Sequence, residues 1–109
     1  MKSKTFAIVP AYNEEKHINK IVKEIRKYVD EVVVVDDGSN DRTKEIAEKS
    51  KAVVLKHIIN LGKGATLKTG CDYAVKNNAK VMIAIDADAQ HDTKEIPKFL
   101  ESIKSSDIV

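Results

Sequence analysis

Asp86, Asp88, Gln90 and His91 crowd into one short stretch directly after the apolar run Val81-Met-Ile-Ala-Ile85. Two carboxylates two residues apart on an extended segment project to the same side, with Ala87 turned away. Hard oxygen donors at that spacing suit Mg²⁺ or Mn²⁺. Such a cation takes one or two protein carboxylates and completes its shell with water and phosphate oxygens. An isolated Asp-x-Asp also ends strands and caps helices, so the pattern alone decides little. Its weight comes from three further polar stretches, each following an apolar run: Pro10 to Glu14, Asp36 to Asp41, and Asn60-Leu-Gly-Lys-Gly64. Tyr12 could face a base or a ribose. Asp37 could accept a hydrogen bond from a base N–H or a ribose hydroxyl. Lys63, set between two glycines, could meet a phosphate.

These side chains can act together only if the elements beneath them bring them to one place. The run at Val81 is too short for a membrane span and reads as a strand buried on both faces of a parallel sheet. Thr5 to Val9 is a first strand, ended by Pro10. Ile18, Ile21, Val22, Ile25 and Val29 follow at helical spacing, with Asn13 as N-cap and Glu14 and Glu15 in the first turn. Glu31 to Val35 is a second strand, and Ser39 or Asp41 caps a helix carrying Ile46 and Ala47. Ala52 to Leu55 is a third strand, followed by a loop from His57 to Gly64. Leu67, Cys71, Ala74 and Val75 mark the inner face of a third helix. After the Val81 strand comes a helix with Ile96, Phe99, Leu100 and Ile103, and Pro97 is tolerated near its start. Asp107-Ile-Val109 opens a fifth strand. This alternation predicts an α/β fold: a doubly wound, mostly parallel sheet with helices on both faces. In such sheets ligands bind past the carboxyl ends of the strands, which is where all four polar stretches fall.

The 109 residues suffice for one domain around one core. A net charge of +2, with 33% charged residues spread throughout, describes a solvated surface and no nucleic-acid-binding arm. The single cysteine, Cys71, allows no internal disulfide and reads as a small core residue. No signal peptide or transmembrane run is present, so the expected location is cytoplasmic. No G-x-G-x-x-G follows the first strand and no G-x-x-x-x-G-K-[ST] occurs, which removes the dehydrogenase and P-loop readings.

Val9-Pro-Ala-Tyr-Asn-Glu14, Val35-Asp-Asp-Gly-Ser39 with Asp41 and Thr43, Asn60-Leu-Gly-Lys-Gly64, and Asp86-Ala-Asp-Ala-Gln-His91 occur in this order. Together they resemble the N-terminal half of family-2 glycosyltransferases of the GT-A (Rossmann-like) fold. The closest subgroup is that of polyprenyl- or dolichyl-phosphate mannose or glucose synthases. The resemblance covers essentially the whole chain. It implies one nucleotide-sugar-binding domain over residues 1–109, cut short at the start of strand five, with the acceptor-binding half absent. Pro10, Tyr12 and Glu14 would contact the nucleotide, and Val35 and Asp37 the base and ribose. Lys63 and its loop would line the base side. Asp86, Ala87 and Asp88 would lie along the diphosphate. Asp88, carried over as the catalytic residue, would hold Mg²⁺ or Mn²⁺ with Gln90 and with Asp86 close by. His91 would support either the loop or the ligand. The implied reaction is an inverting transfer of sugar from a UDP- or GDP-sugar to an acceptor such as a polyprenyl or dolichyl phosphate. In the full-length protein this would take place at the cytoplasmic face of a membrane, and the fragment alone would transfer poorly or not at all.

Two other readings stay open. Asp36 and Asp37 resemble the paired acids of a receiver-like α/β module, although a receiver would end its third strand in Asp, and here that strand runs to His57. The chain could also be an interaction fragment that forms a homodimer through an uncovered sheet edge.

Overall fold

The computed structural model describes residues 4–87. Asp88, Gln90, His91, the expected helix around Phe99 and the expected strand at Asp107 lie outside them. The described elements are β1 (Thr5–Ala11), α1 (Ile18–Ile25), β2 (Glu31–Asp37), α2 (Thr43–Lys49), β3 (Val53–His57), α3 (Lys63–Lys76) and β4 (Val81–Ala84). The strands form one sheet in the order β3-β2-β1-β4, and every pairing is parallel. This is the α/β arrangement that the alternating pattern predicts.

Side-chain alternation divides the core in two. Ala7, Val9 and Ala11 of β1, Val32 and Val34 of β2, and Ile83, Ile85 and Ala87 at and beyond β4 pack on one face with Ile18, Ile21, Val22 and Ile25 of α1 and Ala47 of α2. Phe6, Ile8, Val33 and Val35 pack on the other with Ala74 of α3. Near-continuous Val/Ile runs in β1 and β2 are therefore buried twice over, as a central parallel strand requires.

Strands β2 and β3 run on to Asp37 and His57, and three further elements depart from the expected pattern for physical reasons. Strand β1 runs through Pro10 to Ala11. The Pro10 carbonyl accepts from the Ala87 N–H, on the side where β4 has already ended its ladder. The missing proline N–H thus falls on that side and costs no bond to β2. Helix α1 begins at Ile18, and Asn13 sits earlier with φ 52°, its side chain engaged elsewhere. The inner face of α3 is Thr66, Gly70 and Ala74, with the expected Leu67 partly buried against the same cluster, while Val75 is 65% exposed and Cys71 is half-buried. A Cβ at Gly70 would meet Ile8 Cγ2 at 2.3 Å, so the helix lies too close to β1 for larger residues on that stripe.

Candidate active site

The strand order reverses between β1 and β4, and the crevice beside such a reversal is where an open α/β sheet binds ligands. A cleft of about 370 Å³ opens there, lined by Tyr12, Glu14, Asp37, Lys63, Thr66 and Asp86 among others.

Its upper wall is the β1–α1 loop, laced to the β2–α2 loop by bonds running both ways. The Asn13 N–H donates to Ser39 Oγ at 2.8 Å and the Glu14 N–H to Thr43 Oγ1 at 2.8 Å. In return the Asn40 N–H donates to Asn13 Oδ1 at 2.9 Å and the Arg42 N–H to Glu15 Oε1 at 3.1 Å. Asp41 accepts from the Thr43 N–H at 2.9 Å, from the Thr43 hydroxyl, and from the Glu15 N–H at 3.3 Å. Burial acts to raise the Asp41 pKa, but the Thr43 side chain and the backbone N–H groups outweigh it and hold the carboxyl below its usual value. Asn13 and Glu15 therefore tie loops together, and their lacing sets Tyr12, 44% exposed, and Glu14 at the mouth of the cleft.

The floor is built on Asp37, which is 5% exposed. Its Oδ1 accepts from His57 Nδ1 at 2.7 Å and from the Leu61 N–H at 2.9 Å. Its Oδ2 accepts from the Gly62 N–H at 2.8 Å. Burial acts to raise this pKa as well, and the His57 hydrogen bond, the two backbone N–H groups and the His57 charge bring it below the usual carboxylate value. His57 Nε2 lies 2.8 Å from Thr69 Oγ1. The β3–α3 loop is held a second time at Gly38, whose φ is +80° and whose added Cβ would fall 2.6 Å from the Ile59 carbonyl carbon. Only glycine fits that turn and that approach. The loop is thus fixed where α3 begins, and Gly62 and Lys63 open onto the cleft.

The third wall is Asp86, just past β4, paired with the Lys63 ammonium. Its side chain is 27% exposed and borders the cleft, and a carboxylate is the kind of hard oxygen donor that divalent cations take. Its expected co-ligands Asp88 and Gln90 lie outside the described residues, among which no cluster of three or more His, Cys, Asp or Glu forms a metal site. Every buried side-chain polar atom among the described residues has a hydrogen-bond partner.

Of the residues singled out in the sequence, Pro10, Tyr12, Glu14, Asp37, Lys63 and Asp86 come together at the cleft. Val35 and Ala87 do not line it; both side chains are fully buried, Val35 beneath α3 and Ala87 on the opposite face. Sequence reasoning left Thr66 and His57 unassigned. His57 ends β3 as Asp37 ends β2, and the sheet register that makes the two ladder partners is what identifies it.

Residues 6–109 match the model of the family described as glycosyl transferase family 2. An uncharacterised protein of Methanocaldococcus jannaschii is 43% identical over 103 residues, covering 94% of this chain and 42% of that protein. The UDP-N-acetylglucosamine–dolichyl-phosphate N-acetylglucosaminyltransferase of Methanococcus voltae is 34% identical over 116 residues, covering 90% of this chain and 46% of the enzyme. Among solved structures, glucosyl-3-phosphoglycerate synthase of Mycobacterium tuberculosis, in complex with Mn²⁺, UDP-glucose and phosphoglyceric acid, superposes with a TM-score of 0.64 at 27% identity. The superposition covers 78% of this chain and 33% of that one. The chain spans less than half the length of the relatives it matches.

Proposed function

Because the chain belongs to glycosyl transferase family 2, we propose that residues 1–109 are the nucleotide-sugar-binding half of an inverting, metal-dependent glycosyltransferase. The donor is a UDP- or GDP-sugar, and the acceptor is a polyprenyl or dolichyl phosphate at the cytoplasmic face of a membrane. The observation that carries this reading is the cleft beside the β1/β4 reversal, where Tyr12, Asp37, Lys63 and Asp86 converge from four segments of the chain. The lipid-phosphate acceptor is supported by the name of the Methanococcus relative, and the nucleotide and metal by the ligands of the mycobacterial synthase. Among the described residues no helix is long and apolar enough to cross a membrane.

Each side chain has a task in that reaction. Tyr12 and Asp37 hold the nucleoside, and Glu14 and Pro10 shape the mouth above it. Lys63, at the start of α3, turns from Asp86 towards the diphosphate, where its charge and the helix N-terminus both favour an anion. Asp86, Asp88 and Gln90 would hold Mg²⁺ or Mn²⁺, which supplies Lewis-acid neutralisation of the charge that grows on the leaving diphosphate. A lipid phosphate is already ionised near neutral pH, so the acceptor needs little help from a base.

Calorimetric titration of UDP and GDP with and without Mn²⁺ tests this reading. The expected result is metal-dependent binding of at least one nucleotide, weakened about tenfold or more in Asp86→Asn and in Asp88→Asn. Binding that ignores both the metal and the two substitutions would refute the metal site, and no binding by folded protein would refute the donor site.

A further inference from the structure

The donor-site reading leaves the base open, and the hydrogen bonds around Asp37 narrow it. An ionised carboxylate offers about four acceptor positions, two on each oxygen. On Asp37, His57 Nδ1 and the Leu61 N–H fill both positions of Oδ1. The Gly62 N–H takes one position of Oδ2. One acceptor position remains, on a side chain that borders the cleft. Guanine presents two adjacent donors on its pairing edge, the ring N1–H and the exocyclic amino group, and these match a carboxylate only when both oxygens are available. Uracil presents a single ring N–H between two carbonyls.

We infer that His57 is a specificity-determining residue: together with the Leu61 and Gly62 amides it limits Asp37 to one acceptor, so the cleft selects a uracil nucleotide over a guanine nucleotide. This rests on the cleft being the donor site. The His57 contribution does not depend on its protonation. A carboxylate cannot donate, so Nδ1 carries a hydrogen in both forms, while the Thr69 hydroxyl can donate to Nε2 or accept from it. The selection works by penalty. Guanine bound at Asp37 would leave one desolvated donor without a partner, and sites of this kind discriminate through the group left unpaired.

His57 acts through Asp37 without touching the base, so the readout is a ratio of affinities. Calorimetric titration of UDP and GDP, both with Mn²⁺, should give UDP the tighter binding by about tenfold or more. His57→Leu removes the donor and reopens Oδ1, so the ratio should shrink several-fold in favour of GDP. His57→Asn places an amide N–H where Nδ1 stood and should keep the ratio near that of the unaltered protein. General loosening of the fold would weaken both nucleotides and leave the ratio alone. If the unaltered protein binds GDP as tightly as UDP, the inference is wrong while the donor site stands. A ratio that survives His57→Leu removes His57 from the account. Binding of neither nucleotide overturns the donor site and this inference with it.

Discussion

Two adjacent aspartates end β2, and the pleat sends them to opposite faces. Both carboxylates find a nitrogen donor at the matching position of β3: Asp36 pairs with Lys56 at 3.3 Å, and Asp37 with His57 at 2.7 Å. The Asp-Asp and Lys-His dipeptides are thus one complementary unit written across two strands. On the α3 face the unit anchors a loop, and its loss should show in stability as well as in binding. Asp37→Ala would strand the Leu61 and Gly62 amides, and chemical denaturation should report a loss of about 1–3 kcal/mol. Asp37→Asn keeps the shape but supplies an amide nitrogen where either the Gly62 N–H or the His57 and Leu61 donors now point. It should lose nearly as much, and an unchanged denaturation midpoint would mean that the loop does not depend on the charge.

Among the elements, parity decides what a residue is worth. On β4, Ile83 is 3% exposed and Met82 is 40% exposed. Ile83→Ala should cost about 2–5 kcal/mol, and Met82→Ala well under half of that. Gly70→Val should destabilise by about 1–3 kcal/mol or more, because the added carbons run into Ile8 and Val35. The strands were legible in the sequence because buried parallel strands are written as valine and isoleucine runs. Their ends were not, since pairing carries β1 into Pro10-Ala11 and β2 into Asp36-Asp37, whose local preferences oppose it. The inner face of α3 was legible at Leu67 and Ala74 and misleading at Val75 for a related reason. Close packing at Gly70 selects small residues, so the larger apolar side chain of Val75 is left outside. At the site, the lining residues other than Thr66 were readable as polar stretches after strands. The lacing of Asn13 to Asn40 and Glu15 to Arg42 was not, because it joins residues far apart in sequence through side chains that fit ordinary caps and turns.

For the whole molecule, the depressed carboxyls contribute to acid sensitivity. Asp37 and Asp41 both titrate lower in the folded chain than their usual value. The unfolded chain therefore takes up these protons first as pH falls. The stabilisation is complete above the usual carboxylate value and is lost below it, as pH passes down through the lowered values. Denaturation midpoints measured from neutral pH downward should drop in that range. Asp37→Asn, already less stable, should drop less steeply. A midpoint that stays flat across the acid range would contradict the two assignments.

The order β3-β2-β1-β4 also carries a consequence in time. The first strand of the chain waits at the centre for the last described one: Thr5 pairs with Val81, whereas Phe6 pairs with Glu31 across a single helix. Closing the longer loop costs more chain entropy, so β1, α1 and β2 can assemble while β4 is still outside. Asp86 follows two residues after that late strand. In native-state hydrogen exchange the β4 amides should open at lower free energy than those between β1 and β2, and a nucleotide that engages Asp86 should slow their exchange. Ligand capture and the docking of β4 would then be one event, so the readiness of the cleft to bind is set by how often that strand is home.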